Sequence, residues 1–321
     1  MILVTGATGR IGNVLVHSLV KGSDSVRVLI RKSSNLNPIK DLNIQQVYGD
    51  ILDYDSVKKA VSGCKYVYHL AGHINISNKN KELTYSTNIQ GTKNILKACE
   101  EEKVTKLLHT SSIHAFEAKS DGEVIDENTP LCDSDDSRGI YDRSKAIATK
   151  EVLKSKVNSV IVCPTGVVGP FDFRPSFFGK GMIESIKSKL KISVPGEYDY
   201  VDVRDVVNGM ISAMQKGENK EIYLLGGEKL TMLDYFKLLQ KLTGIKGSIK
   251  TLKFESAILL GKFLNFFSNR SSITPYSIET LMSNSNISHI KAQKKLGFNP
   301  RSIEKSIYDQ YIWFKKNRYI F

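Results

Sequence analysis

The chain has 321 residues, enough for one large domain or for one domain with a smaller lobe. Its 41% hydrophobic and 25% charged content excludes a disordered or fibrous chain and can bury a substantial core without disulfides. The net charge of +13 invites a nucleic-acid reading. However, residues 237–321 carry 15 Lys/Arg against 4 Asp/Glu, spread along amphipathic segments without a recognition motif, so a solvated lysine-rich face and no nucleic-acid partner are expected.

The first element is the apolar run Ile2-Leu3-Val4, followed by Thr5-Gly6-Ala7-Thr8-Gly9-Arg10-Ile11-Gly12 and an amphipathic stretch from Ile11 to Val20. The order strand, glycine turn, helix builds a pyrophosphate seat. Gly6 and Gly9 let backbone N–H groups approach an anion, the helix N-terminus adds its partial positive charge, and Gly12 lets the helix pack closely on the strand. Thr8, Arg10 and Ile11 belong to the same turn. The second strand, Val26 to Ile30, ends in Arg31-Lys32. A site for NAD usually carries Asp or Glu there for the adenosine ribose; a carboxylate would repel a 2′-phosphate, and Arg31 would bind it. Arg10 is expected to reach the same phosphate. NADP(H) is therefore the favoured cofactor, with NAD(H) the alternative.

Strands are predicted at 2–5, 26–31, 44–48, 66–71, 104–111 and 158–163, and helices at 10–21, 53–62, 82–102 and 141–155. This alternation, with near-continuous apolar strands, predicts an α/β fold with a parallel sheet covered on both faces. Ligands in such sheets sit at the carboxyl ends of the strands. Besides the turn and Arg31, the residues there are Asp50 and Ile51, Ala71-Gly72-His73, Thr110-Ser111-Ser112 and Pro164-Thr165, with Val167 just beyond. After about residue 165 the alternation breaks. A Gly/Pro/Phe loop from Gly166 to Gly181 is expected, then a strand at 221–225 and helices near 202–216, 231–243 and 254–267, forming a small substrate-capping lobe that shares strands with the main sheet. The apolar segment Phe254 to Phe267 is read as a lid or core helix.

The cysteines, Cys64, Cys99, Cys132 and Cys163, lie more than 30 residues apart and show no metal-ligand spacing, so no metal site is expected. With a strand starting at Ile2 and no apolar run approaching a membrane span, a reducing, cytoplasmic setting without a cleaved leader is expected. Helices 82–102 and 141–155 are candidates for pairing across a homodimer axis.

Tyr141-Asp142-Arg143-Ser144-Lys145 opens a helical stretch, and its i, i+4 spacing puts the Tyr141 hydroxyl and the Lys145 ammonium on one helix face. A cation there is expected to lower the tyrosine pKa toward neutrality, which suits general acid–base work. Ser112, ending the fifth strand, can polarise a substrate oxygen.

With these motifs in place, the chain resembles the extended short-chain dehydrogenase/reductase superfamily, through residues 5–12, Tyr141 to Lys145 and Asn88 to Thr92. Val28 to Arg31, Tyr68 to Ala71, Pro164 to Pro170, Val201 to Asp205 and Lys291 to Gly297 are similar to its bacterial branch related to dihydroflavonol 4-reductase. The resemblance implies that Ser112, Tyr141 and Lys145 form the catalytic triad. It also implies that Asn88 supports a proton relay and that Asp50-Ile51 hold the adenine. Two departures from sister families matter. Dehydratase members place Asp-Glu directly after the catalytic hydroxyl residue, where this chain has Ile113-His114. Nucleotide-sugar members carry an Asn and an Arg where this chain has Gly166 and Tyr198, so a diphosphate would lose its grip.

The expectation is a Rossmann-type doubly wound parallel sheet, with 1–165 the dinucleotide-binding domain and 166–321 mainly the substrate-capping lobe. The activity expected is NADPH-dependent reduction of a ketone or aldehyde, reversible as an alcohol dehydrogenase. A nucleotide-sugar epimerase with tightly bound NAD and a non-catalytic NADP(H)-binding regulatory protein are the alternatives.

Overall fold

A computed structural model describes residues 1–22, 24–75, 80–119, 122–133, 139–259, 281 and 286–320. Its centre is a seven-stranded sheet made of β1 (Ile2–Thr5), β2 (Val26–Ile30), β3 (Gln45–Tyr48), β4 (Tyr66–His69), β5 (Lys106–Thr110), β6 (Ser159–Pro164) and a late strand, β10 (Ile222–Leu225). The order is β10-β6-β5-β4-β1-β2-β3, and every neighbouring pair is parallel. The strand order reverses between β1 and β4, so a crevice opens there at the carboxyl ends.

Helices cover both faces. One face packs on α1 (Arg10–Lys21) and α7 (Val203–Lys216), through Val14, Leu15, Val28, Val206 and Met210. The other packs on α2 (Tyr54–Val61), α4 (Gly91–Glu101) and α5 (Ile140–Lys154), through Leu3, Val57, Ile95, Leu107 and Ala146. The strand predicted at 221–225 enters the main sheet beside β6, with Tyr223 opposite Val162.

The stretch predicted as a loop from Gly166 to Gly181 is more ordered than expected. It holds β7 (Gly166–Val168), which pairs with β9 (Glu197–Asp202), and it leads into α6 (Phe177–Lys187). Ser176 starts that helix by accepting the Gly179 N–H. Further elements are β8 (Leu190–Ser193), β11 (Glu228–Thr231), α8 (Met232–Thr243), β12 (Ser248–Thr251), α9 (Ile290–Leu296) and α10 (Ile303–Lys316). Phe236, Leu239, Ile307 and Phe314 form an apolar cluster among them. Residues 254–259 of the predicted helix 254–267 are helical; 260–267 lie outside the described residues.

The helix predicted at 82–102 is not one regular helix. It runs as α3 (Lys81–Tyr85), a wider π-helical turn at Ser86–Gln90, and then α4. Among the described residues no helix is long and apolar enough to cross a membrane, and no group of three or more His, Cys, Asp or Glu could hold a metal ion.

The crossover from β1 to α1 depends on missing side-chain atoms. A Cβ at Gly12 would lie 2.1 Å from the Gly6 carbonyl oxygen, which is backbone and cannot step aside. At Gly181, in α6, a Cβ would meet nothing within 4 Å. Gly12→Ala is therefore expected to cost about 1–3 kcal/mol of unfolding free energy. Gly181→Ala should be neutral or gain up to about 1 kcal/mol. Urea unfolding of the two variants checks the contrast, and equal effects would contradict the close-approach account.

Candidate active site

The site begins with a turn that no side chain closes. Gly9 caps α1 without a side-chain hydrogen bond, and the first helical turn carries no acidic residue. Its orphan N–H groups and the helix's positive end are thus left for an anion. Gly6 holds φ +72°, and a Cβ on it would lie 2.7 Å from the Ala71 nitrogen. The turn therefore lies directly against Ala71-Gly72-His73 at the switch point. Thr8 and Ile11, both half-buried, flank it. These features fit a dinucleotide pyrophosphate.

Arg31 and Lys32 stand exposed past the end of β2. The charge of Arg31 reaches His73, whose imidazole is held below its usual pKa by burial and then by that cation. Ile51 packs over Gly91, where a Cβ would come within 2.5 Å of the Ile51 Cδ1 atom. Its carbonyl accepts from the Asn94 amide at 2.8 Å, and Asp50 accepts the Leu52 N–H at 3.0 Å. Arg10 takes a different course from the one expected. Its Nη1 meets Asp172 at 2.9 Å and donates to the Ser176 hydroxyl, and its Nη2 donates to the Gly169 carbonyl at 2.9 Å. Those donors face the loop after β7, because Asp172 is a buried carboxylate that needs a cation.

Beneath the crevice runs a chain of buried hydrogen bonds. The Ala71 N–H donates to Thr5 Oγ1 at 3.2 Å, and that hydroxyl meets His69 Nδ1 at 2.8 Å. His69 Nε2 meets Thr92 Oγ1 at 3.1 Å, and Thr92 donates to the Asn88 carbonyl at 2.6 Å. The pattern requires a neutral imidazole with its proton on Nε2. Burial, with Lys145 nearby, holds the His69 pKa down at about 3.

Asn88 lies in the π-helical turn. Its side chain accepts the His73 N–H at 2.7 Å and donates to the His73 carbonyl at 3.1 Å and to the Ser144 hydroxyl at 2.8 Å. A widened turn is a common device for aiming such a side chain, and it explains why the helix predicted at 82–102 is interrupted. Asn88 thereby joins the loop after β4 to α5.

Ser112, Tyr141 and Lys145 come together at the carboxyl end of β5, and all three are buried. The Ser112 side chain faces the Tyr141 hydroxyl closely enough to act on its pKa. Lys145 Nζ donates to the Thr110 carbonyl at 2.8 Å, and a Cβ on Gly72 would lie 3.4 Å from it. The expected lowering of the Tyr141 pKa is not found in the protein's own electrostatics. Burial pushes it up to about 12, the neighbouring Ser112 hydroxyl opposes this only in part, and the ammonium is turned toward Thr110. Tyr141 is accordingly a neutral phenol, a hydroxyl with a proton to give. Lys145 itself is pushed down to about 8 by burial. Pro164 ends β6, and half-buried Val167 lies in β7.

The wall beside Tyr141 shows why Gly166 and Tyr198 depart together from the nucleotide-sugar pattern. A Cβ at Gly166 would meet Tyr198 Cε1 at 2.6 Å, so the tyrosine ring occupies the space a side chain there would need. Tyr198 Oη lies 2.8 Å from His114 Nε2, while His114 Nδ1 lies 3.3 Å from an Asp142 oxygen. The His114 ring stands edge-on to Tyr141 with centroids 6.0 Å apart, and Phe178 packs on Tyr198 at 5.5 Å. Sequence reasoning missed the linkage of Asp142, His114 and Tyr198. Their neighbours Tyr141 and Ser112 were the only hint to two of them. The Thr5, His69 and Thr92 chain was likewise missed, since each residue alone looks like an ordinary strand or helix position.

Residues 2–226 match the NAD dependent epimerase/dehydratase family. The chain is 31% identical over 325 residues to sterol demethylase protein B of Methylococcus capsulatus, covering 98% of each chain. It is 29% identical over 330 residues to a putative dihydroflavonol 4-reductase of Synechocystis, covering 99% of this chain and 95% of that one. Among solved structures, that of gox2253 superposes with a TM-score of 0.89 at 29% identity, covering 100% of this chain and 99% of the other.

The Lys145 shift has a thermodynamic consequence. Between about pH 8 and the ordinary lysine value of 10.5, the unfolded chain holds more protons than the native one, so this group makes stability rise with pH across that window. Below pH 8 the buried ammonium opposes folding. Lys145→Met removes that opposition but leaves the Thr110 carbonyl without its donor, a loss of about 1 kcal/mol. A net gain of about 1–2 kcal/mol is expected at pH 7, shrinking toward pH 10.5. Urea unfolding at both pH values checks this, and a variant less stable than the parent at pH 7 would contradict it.

Proposed function

The chain belongs to the NAD dependent epimerase/dehydratase family and is an NAD(P)-dependent enzyme of the extended short-chain dehydrogenase/reductase type, and from that premise we propose that it reduces a hydrophobic ketone or aldehyde with NADPH. The observation that carries the reading is the Gly166–Tyr198 contact. It puts an aromatic ring where sugar-nucleotide members hold diphosphate-binding side chains. An uncharged, partly apolar substrate suits that wall, which also includes Phe178. The names sterol demethylase protein B and putative dihydroflavonol 4-reductase, both attached to polycyclic compounds, support the same substrate class.

A nicotinamide bound in the crevice would supply hydride-transfer chemistry to a carbonyl carbon. Ser112 orients the carbonyl oxygen and Tyr141, a neutral phenol, gives it the proton, so that ketone, hydride and proton yield the alcohol. Lys145, held by the Thr110 carbonyl, would bind the nicotinamide ribose. Asn88 keeps the loop after β4 and α5 in register. Residues from 166 onward, apart from α7 and β10 in the main domain, cap the carbonyl pocket. Gly6, Thr8, Gly9 and Ile11 seat the pyrophosphate, Asp50 and Ile51 hold the adenine, and Arg31 with Lys32 bind the 2′-phosphate. This last assignment supports NADP(H) over NAD(H).

Cyclic and aryl ketones and aldehydes assayed by NADPH absorbance test the reading directly, alongside calorimetric titration with UDP-glucose and UDP-galactose. Net NADPH oxidation and millimolar or weaker sugar-nucleotide binding are expected. Micromolar binding with epimer formation and no net cofactor consumption would replace the reading with an epimerase. Nucleotide binding without turnover of any kind would indicate a regulatory protein.

Tyr141→Phe is expected to lower turnover by about 10²–10⁴ while sparing cofactor affinity. Near-parental turnover would remove Tyr141 from the mechanism. Arg31→Asp should weaken NADPH binding about tenfold or more and leave NADH less affected. Equal losses, or a parental preference for NADH, would reject the coenzyme assignment.

A further inference from the structure

Arg10 is the only charged residue in the turn from Thr5 to Gly12, and its guanidinium reaches across to the segment after β7. Three groups of that segment receive it: the Asp172 carboxylate, the Ser176 hydroxyl and the Gly169 carbonyl. A second strand of contact lies beside it. Asn13, one turn into α1, donates to the Phe171 carbonyl at 3.3 Å and to the carbonyls of Gly9 and Arg10.

Asp172 is 1% exposed and is held from its other side as well. It accepts the Ser176 N–H at 2.9 Å and the Ser176 hydroxyl at 2.8 Å, and Ser176 in turn caps α6. From α6 the contacts continue inward. Phe178 packs on Tyr198, Tyr198 bonds to His114, and His114 stands against Tyr141. An unbroken series of packed and hydrogen-bonded groups thus runs from the pyrophosphate turn to the wall beside the proton donor.

The segment itself resists this arrangement locally. Phe171 holds φ +65°, unusual for a residue with a side chain, whereas Gly169 takes its φ of +106° without strain. Such a backbone persists only where its surroundings determine it, and here the determinants are Arg10, Asn13 and Gln310, whose side chain accepts the Gly169 N–H at 3.2 Å.

We propose that Arg10 and Asp172 are a positioning pair that fixes the start of α6, and with it the Phe178–Tyr198 wall, to the dinucleotide turn, so that nucleotide bound at the turn holds that wall in place beside Tyr141. The inference rests on the dinucleotide reading of the turn and on the reductase reading of the pocket. It implies positive coupling: nucleotide that immobilises the turn lowers the cost of ordering the substrate wall, and the carbonyl substrate binds better after it.

Hydrogen exchange of the full-length protein, with and without saturating NADP⁺, tests the coupling without any substrate. Calorimetry first establishes that NADP⁺ binds; no binding of NADP⁺ or NAD⁺ would defeat the dinucleotide reading, and this inference with it. In the parent, NADP⁺ is expected to slow exchange of the 170–180 amides at least tenfold. In Asp172→Asn and Arg10→Met that slowing is expected to fall below threefold. Arg10→Lys, which keeps the charge but only one donor group, should restore part of it. A merely structural role would raise exchange equally with and without nucleotide, leaving the slowing ratio intact, and that result would overturn the proposal. For the ketone turned over fastest by the parent, Asp172→Asn should raise KM at least fivefold with kcat changed less than twofold. An unchanged KM would also overturn it.

Discussion

Backbone must touch backbone where the first strand passes into the first helix, and much of the site depends on that contact. The Gly6 carbonyl lies where a Cβ of Gly12 would be, and the Ala71 nitrogen lies where a Cβ of Gly6 would be. These approaches press three backbone segments together at the switch point of the sheet. They set α1's uncapped N-terminus over the crevice and bring the loop after β4 within reach of Asn88 and Lys145. A side chain at either glycine would force these segments apart, and the anion seat with them.

Burial is the second theme. Tyr141, Lys145 and His69 are all withdrawn from water, and each is shifted toward its neutral form. The protein compensates with polar neighbours instead of counter-charges: Ser112 for Tyr141, the Thr110 carbonyl for Lys145, and Thr5 and Thr92 for His69. An ammonium with no carboxylate beside it among the described residues is costly to the fold. The cost is intelligible if the charge is kept for a ligand, which is the usual trade between stability and function.

The reading from sequence was strongest where one local pattern settles the matter. The span of α1 follows from the glycine turn and the amphipathic period, and the six early strands follow from apolar runs between turn residues. The interrupted helix at 82–102 was not legible, because its π-helical turn answers to Asn88 meeting His73 and Ser144, residues 15 and 56 positions away. The pKa of Tyr141 was misread for a related reason. Spacing of i, i+4 states that two side chains share a face, but the ammonium had a carbonyl on β5 to choose instead. Arg10 met the same fate, since Asp172 lies 162 residues away.

The sequence by itself determined the class of fold, the glycine turn between β1 and α1 and the shared helix of Tyr141 and Lys145. Each of these is written in short-range spacing, and a period or a glycine has the same physical meaning wherever it occurs. Only the tertiary structure decided which way Arg10 points, why Gly166 and Tyr198 change together, and that His114 links Asp142 to Tyr198. Those outcomes depend on which distant groups share a dry space, and pairing in a dry space is decided by packing and desolvation, which no local pattern records.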